Sequence, residues 1–262
     1  MTPTAHPTTI TDARLDQLLQ IAGEQPDPLA FATVSGAHLY GFPSPDSDYD
    51  LRGVHILPAA AVLGLGRPEE TREIERLQGG IELDLVTHDL KKFLTLLLRP
   101  NGYVLEQLTS PLVVQTSPLH EELLALVPEL VTRHHAKHYS GFFNTQWKLL
   151  TKEPEPRVKP LLYCYRVLLT GLHLMRTGQV QADLRPLLDK YPQPGVADLI
   201  ELKVNGREKE PLPGGLDAHQ RRTADLLTQL DAAADASDLP EYPTDDARHR
   251  ANDLLIAARL GG

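Results

Sequence analysis

Val34-Ser35-Gly36-Ala37-His38-Leu39-Tyr40-Gly41-Phe42-Pro43-Ser44-Pro45-Asp46-Ser47-Asp48-Tyr49-Asp50-Leu51-Arg52-Gly53-Val54 decides how the rest of this chain is read. A turn of small residues runs into an Asp-x-Asp pair on an expected strand. Side chains two apart on a strand share a face, so Asp48 and Asp50 project together and Tyr49 opposes them. Two carboxylates held that close repel, and a divalent cation relieves the repulsion. An oxygen donor set of this kind suits Mg²⁺, which is commonly shared between one or two protein carboxylates and substrate phosphates. Gly36 lets backbone approach a ligand closely, and consecutive N–H groups make an anion-binding concavity. A phosphate cradle beside an acid pair implies phosphoryl or nucleotidyl transfer.

Gly36-Ala37, the ten residues 38–47 and Asp48-Tyr49-Asp50 resemble the signature of DNA polymerase β-like nucleotidyltransferases, which is Gly-[Gly/Ser], a spacer, then Asp-x-Asp. The string from Tyr40-Gly41 through Pro45-Asp46-Ser47-Asp48-Tyr49-Asp50-Leu51-Arg52-Gly53 is similar to the bacterial branch called the RNA-repair-associated polymerase β family. The resemblance continues at Thr87-His88-Asp89-Leu90-Lys91-Lys92-Phe93 and Asn101-Gly102-Tyr103-Val104-Leu105-Glu106, and is close over residues 30–112. It implies an α+β fold: a polymerase β-like domain with a short mixed sheet and flanking helices, followed by an α-helical domain. It also implies an NTP substrate and Mg²⁺ or Mn²⁺ held by acids. One position departs from the family. Ala37 stands where Ser or Gly is usual, so the backbone N–H remains but a hydroxyl that could hold phosphate does not.

Such sites take a third acid from a neighbouring strand. Ile81-Glu82-Leu83-Asp84-Leu85-Val86 alternates apolar and acidic, the period of a half-buried strand. The resemblance puts the third acid at Asp84, counting back from His88-Asp89-Leu90, with Glu82 in reserve. The expected catalytic and metal-binding set is therefore Asp48, Asp50 and Asp84. Gly36, Ala37, Ser47 and Arg52 are the expected nucleotide-binding residues around it. Each piece alone also fits a plainer description, a solvated turn and a strand with one wet face. Their order and spacing together favour the site.

The chain has 262 residues, room for one large domain or two modest ones, and 41% hydrophobic residues, enough for an ordinary core. Its one cysteine, Cys164, excludes an internal disulfide and a cysteine-based zinc site, and is expected in the core. No apolar run approaches the ~18–20 residues of a membrane span. The first residues, Met1-Thr2-Pro3-Thr4, have neither the basic start nor the apolar stretch of a signal peptide, so a cytoplasmic protein without a membrane partner is expected. A net charge of −9 argues against broad, non-specific nucleic-acid binding. Residues 131–180 nevertheless hold eight Lys/Arg against two acids, a basic stretch that a triphosphate or a short RNA end could meet.

The spacing predicts a helix over 11–22 capped by Thr11, strands over 29–35, 48–56 and 81–86, and a helix over 88–98 with Thr87 as its N-cap. Gly64-Leu65-Gly66 lacks the rest of a dinucleotide fingerprint and receives no function. Arg99-Pro100-Asn101-Gly102 breaks the pattern. Ser117 followed by Pro118 is a strong helix start. Further helices are expected near 128–151, 158–177, 182–190, 196–204, 216–236 and 244–259. Residues 1–115 would then be a catalytic domain and 116–262 an α-helical domain, with the substrate cleft between them.

Within 158–177, Lys159, Tyr163, Arg166, Thr170 and His173 fall on one helical stripe in an otherwise apolar segment. Lys159 and Arg166 suit phosphates, and Tyr163 suits a base or ribose. His134 and His138 stand four apart with His135 beside them, and a surface or interface cluster is favoured over a metal site. His38 and Lys203 are secondary phosphate candidates. The expected reaction transfers NMP from an NTP to a hydroxyl with release of pyrophosphate. The resemblance suggests an RNA end as acceptor, and a protein or small-molecule hydroxyl remains an alternative. A rival from another class is a non-catalytic nucleotide-binding module, favoured by Ala37 and opposed by the three acids.

Overall fold

The computed structural model describes residues 12–78, 80–206 and 209–261. Helix α1 (Asp12–Gly23) leads into β1 (Leu29–Val34), the short α2 (Gly36–Leu39) and β2 (Tyr49–His55). Next come α3 (Ala59–Leu63), β3 (Thr71–Gln78), β4 (Ile81–Asp89), α4 (Leu90–Leu97), α5 (Gly102–Leu108) and β5 (Val113–Gln115). From there the chain is helical: α6 (Pro118–Leu130), α7 (His135–Leu150), α8 (Val158–Thr177), α9 (Leu184–Lys190), α10 (Val196–Asn205), α11 (Asp217–Asp235) and α12 (Asp245–Leu260). The strands form one mixed sheet in the order β3-β4-β2-β1-β5, with β2 and β4 parallel and the other neighbours antiparallel. This is the α+β class expected. No helix among the described residues is long and apolar enough to cross a membrane.

Strand alternation, shifted in β1 by a bulge between Leu29 and Phe31, gives the sheet two apolar faces. Leu29, Ala32 and Val34 of β1, Leu51 of β2 and Leu83 and Leu85 of β4 pack with Leu18, Ile21 and Ala22 of α1. Phe31 and Val54 point the other way, into a larger core shared with α4 to α12. Its hub is α8, of whose twenty residues fifteen are buried, packed against α7, α9, α10 and α11. Gly178, in the left-handed conformation at φ 69°, ends that helix.

The sequence reading holds at α8, whose bounds match, and at Ser117, whose hydroxyl caps α6. Thr11 lies outside the described residues. Thr87 does not cap α4: β4 continues to Asp89 because His88 and Asp89 still pair with Val54 and His55. Asp89 is the cap, accepting from Lys91 N at 3.0 Å. The segment near 128–151 is two helices, because Val131 turns extended (φ −70°, ψ 130°) before α7 begins. β3, Thr-Arg-Glu-Ile-Glu-Arg-Leu-Gln, was not anticipated: it is an edge strand whose charged residues carry little apolar period.

Candidate active site

Parallel pairing sets Asp50 of β2 beside Asp84 of β4 in register, so both carboxylates leave the same face of the sheet. Arg52, two residues beyond Asp50, stands on that face too. Its Nη2 lies 2.9 Å from Asp50 Oδ1 and 2.9 Å from Asp84 Oδ2. Nη1 donates to the main-chain oxygens of Leu51 at 2.8 Å and Asp84 at 2.9 Å, and Nε to the Tyr103 hydroxyl at 3.0 Å. Burial pushes the Asp50 carboxyl above the usual range; Arg52 opposes the shift and Asp84 adds to it. Burial works against the Arg52 charge as well, but Tyr103, Asp50 and Asp84 outweigh it and hold the guanidinium above its ordinary value.

Asp48 is exposed at the open end of this face. The Glu82 carboxyl is near enough that Asp48 pushes it above its ordinary range. The acids thus form an inner pair, Asp50 and Asp84, and an outer pair, Asp48 and Glu82. Carboxylate oxygens on one face are the right donors for Mg²⁺. Among the described residues, no group of three or more His, Cys, Asp and Glu is gathered as a metal ion needs. The guanidinium of Arg52 holds the place between the inner two.

The Gly36 turn lies directly against this pair. Gly36 has φ +62°, and a Cβ built there would stand 1.7 Å from Asp50 Oδ2. Gly36→Ala is therefore expected to displace Asp50 and to destabilise by more than the ~1 kcal/mol of an ordinary left-handed glycine replacement. Thermal melting and nucleotide titration check this, and an unchanged variant would contradict it. Ala37 is 3% exposed and packs in the larger core. A hydroxyl at that Cβ enters an apolar setting. Ala37→Ser is thus expected to cost ~1–3 kcal/mol of stability without tightening nucleotide binding. A tenfold gain in affinity would show that the absent hydroxyl does matter.

The loop between turn and acids is fastened from the helical half. Ser47 Oγ accepts from Ser44 N at 2.9 Å and lies 3.0 Å from Ser44 Oγ, which also accepts from Lys203 of α10. Lys203, a phosphate candidate by sequence, is fully buried there. Leu184 N donates to Tyr40 O at 3.0 Å, and Arg185 Nε to Gly41 O at 2.8 Å. His38 stacks on Tyr49 with ring centroids 3.9 Å apart. Burial brings its imidazole down to about 4, so it is neutral at pH 7 and a poor phosphate ligand.

The α8 stripe divides. Lys159, half-buried, is close enough that its charge acts on Asp50. Tyr163 is half-buried and meets Tyr40 and Phe42 edge-on, with centroids 5.4 and 5.7 Å away. Arg166, expected at a triphosphate, is committed elsewhere. Its Nη1 lies 2.8 Å from both carboxylate oxygens of Glu106, its Cζ sits 3.9 Å over the Tyr40 ring, and the two side chains are 3% and 2% exposed. Thr170 donates to Gln181 O, and His173 meets the Tyr191 hydroxyl, so the rest of the stripe is spent on internal contacts. His135 is buried and bonded to Thr132, while His134 and His138 meet Tyr242 and Tyr139 edge-on. Sequence reasoning missed the bridging role of Arg52 and gave no role to Tyr103, Glu106 or Tyr40. The one signal was that all three lie in stretches that resemble the family, Tyr40 in the string from Tyr40-Gly41 and the other two in residues 101–106.

Comparison with known proteins identifies the family. The family model described as "RNA repair pathway DNA polymerase beta family" matches residues 10–257. An uncharacterized protein of Methanocaldococcus jannaschii is 30% identical over 232 residues, 86% of this chain and 92% of that one. The uncharacterized protein YcgL of Bacillus subtilis is 25% identical over 168 residues, 63% of this chain and 64% of its own length. A solved nucleotidyltransferase-like protein from Exiguobacterium sibiricum aligns at 11% identity and a TM-score of 0.26, covering 87% of this chain and 74% of that one. With nearly its whole length matched by one family model, this chain belongs to the RNA repair pathway DNA polymerase beta family.

Proposed function

We propose that the protein is a metal-dependent nucleotidyltransferase that moves NMP from an NTP to a hydroxyl acceptor, an RNA end, releasing pyrophosphate. The observation that carries this reading is the in-register Asp50–Asp84 pair lying directly against the Gly36 turn. Residues 1–115 would form the catalytic unit, with residues 116–262 closing over its nucleotide. Asp48, Asp50 and Asp84 would hold Mg²⁺ or Mn²⁺, which when bound supplies charge neutralisation at the phosphoryl group. The backbone N–H groups of Gly36 and Ala37 would cradle a phosphate, needing no side chain at position 37. Lys159 would add a point charge beside the acids, and Tyr163 an aromatic edge for base or sugar. Arg166 and Ser47 would support the site from behind, through Tyr40 and the 41–47 loop. An acid of this face, Asp84 or Glu82, would take the acceptor's proton. Positioning and charge complementarity would account for most of the rate.

The family's description supports RNA as the acceptor. A non-catalytic nucleotide-binding module is the second reading, favoured by the ion pairs that already engage both inner acids. Pyrophosphate release separates the two. With NTP, Mg²⁺ and an RNA bearing a free 3′ hydroxyl, release is expected to depend on the RNA. Release that depends instead on a protein or small-molecule hydroxyl would change the acceptor. Nucleotide binding without release from any acceptor would favour the module.

A further inference from the structure

Arg52 spends its whole guanidinium inside the site. The group has five N–H donors. Its contacts supply as many acceptors: the Tyr103 hydroxyl, the main-chain oxygens of Leu51 and Asp84, and one carboxylate oxygen each from Asp50 and Asp84. An arginine so used does not reach out to phosphate. The two main-chain bonds fix it to the strands that carry the acids, and Tyr103 of α5 locks the Nε side. Its side chain is 10% exposed, so its charge acts on its neighbours with little screening by water.

The consequence is electrostatic. Two inner carboxylates without a partner would offer a charge of −2 and four oxygens to a free divalent ion. With Arg52 in place the trio carries −1, and one oxygen of each carboxylate is already engaged. Lys159 reduces the field at Asp50 further. Asp48 and Glu82, on the same face, are exposed and screened by water, so a free divalent cation gains less at this site than it would without Arg52. A cation that arrives on a nucleoside triphosphate brings oxygen ligands of its own, and its net negative charge is attracted by Arg52 and Lys159. We infer that Arg52 is a resident counter-cation: it holds Asp50 and Asp84 together while the site is empty of metal and makes uptake of the divalent ion contingent on the triphosphate. It acts through the two acids and is a positioning residue. The inference rests on the nucleotidyltransferase reading and adds the order in which that site fills.

Mn²⁺ titrated into the full-length protein and followed by electron paramagnetic resonance provides the test, with and without a non-hydrolysable NTP analogue. The wild type is expected to bind Mn²⁺ alone at least about tenfold more weakly than with the analogue, the scale of one charge-assisted contact. Arg52→Gln is expected to tighten binding of Mn²⁺ alone by about tenfold or more and to narrow that gap. Arg52→Lys, which keeps the charge, is expected to behave like the wild type. Should Arg52→Gln not fold, Tyr103→Phe, which removes only the Nε acceptor, is expected to shift binding the same way by roughly two- to fivefold. Unchanged or weaker binding of Mn²⁺ alone in the folded variants, with nucleotide-assisted binding intact in the wild type, would overturn the inference and leave the nucleotidyltransferase reading standing. No Mn²⁺ binding by the wild type under either condition would overturn both.

Discussion

Asp50→Asn and Asp84→Asn are each expected to cut NTP-dependent pyrophosphate release by about 10²–10³-fold or more, the loss seen when one charge-stabilising group leaves a preorganised site. The fold is expected to survive. Asparagine keeps the shape of the side chain and an oxygen that can still accept from Arg52 Nη2, which lies 2.9 Å from both acids. Arg52 also keeps its main-chain partners, Leu51 O and Asp84 O. The Asp50 variant carries a pH signature. Burial raises the Asp50 pKa above its ordinary 3.8, so ionising it in the folded state opposes folding. That opposition is absent below the unfolded value and develops as pH rises through the folded one. Asp50→Asn should therefore melt at or above the wild type near pH 7, with the difference closing towards about pH 4. A melting temperature far below the wild type would make Asp50 a structural acid.

Arg166→Met is expected to do the reverse, costing stability and sparing the nucleotide. Glu106 and Arg166 are buried together, and removing the cation leaves an uncompensated carboxylate in the core. Breaking such a pair costs ~3–5 kcal/mol. At ~2–4 °C per kcal/mol for a chain of this size, the melting temperature should fall by roughly 6–20 °C. Replacing both residues, Glu106→Leu with Arg166→Met, should cost less than the single change, since no charge is then stranded. At a temperature where the variant is folded, nucleotide affinity should stay within about twofold of the wild type, below the ~1.5–3 kcal/mol of a lost charge-assisted bond. A large loss of affinity with unchanged melting would return Arg166 to the phosphates.

The contrast between these residues shows what was legible in the sequence. Strand alternation puts Asp48 and Asp50 on one face, and in the structure it is Asp50 that meets Asp84 while Asp48 stands at the exposed end. The family spacing then named the neighbouring strand. Gly36 is legible as a place of close approach, but the sequence assigns the approach to a ligand, whereas the structure puts the Asp50 carboxylate where a Cβ would stand. Arg52, inside the motif, and Arg166, on the polar stripe of α8, are both expected from sequence at the nucleotide. In the structure Arg52 turns to Asp50, Asp84 and Tyr103, and Arg166 to Glu106; Tyr103 and Glu106 lie 51 and 60 residues away in sequence, and only tertiary packing brings them close. Periodicity along α8 located a polar stripe but not which of its residues spend their polarity internally. Thr170 and His173 do so through Gln181 and Tyr191. The edge strand β3 escaped notice for a related reason: its ladder with β4 stabilises it more than its own apolar pattern does.

The most direct measurement of the central claim is a crystal structure with a non-hydrolysable NTP analogue and Mg²⁺. The α-phosphate is expected beside Asp48, Asp50 and Asp84, with Mg²⁺ between phosphate and carboxylates and the triphosphate reaching from the Gly36 turn towards Lys159. A nucleotide bound elsewhere, with Asp50 and Asp84 still joined only by Arg52 and no cation among them, would contradict it.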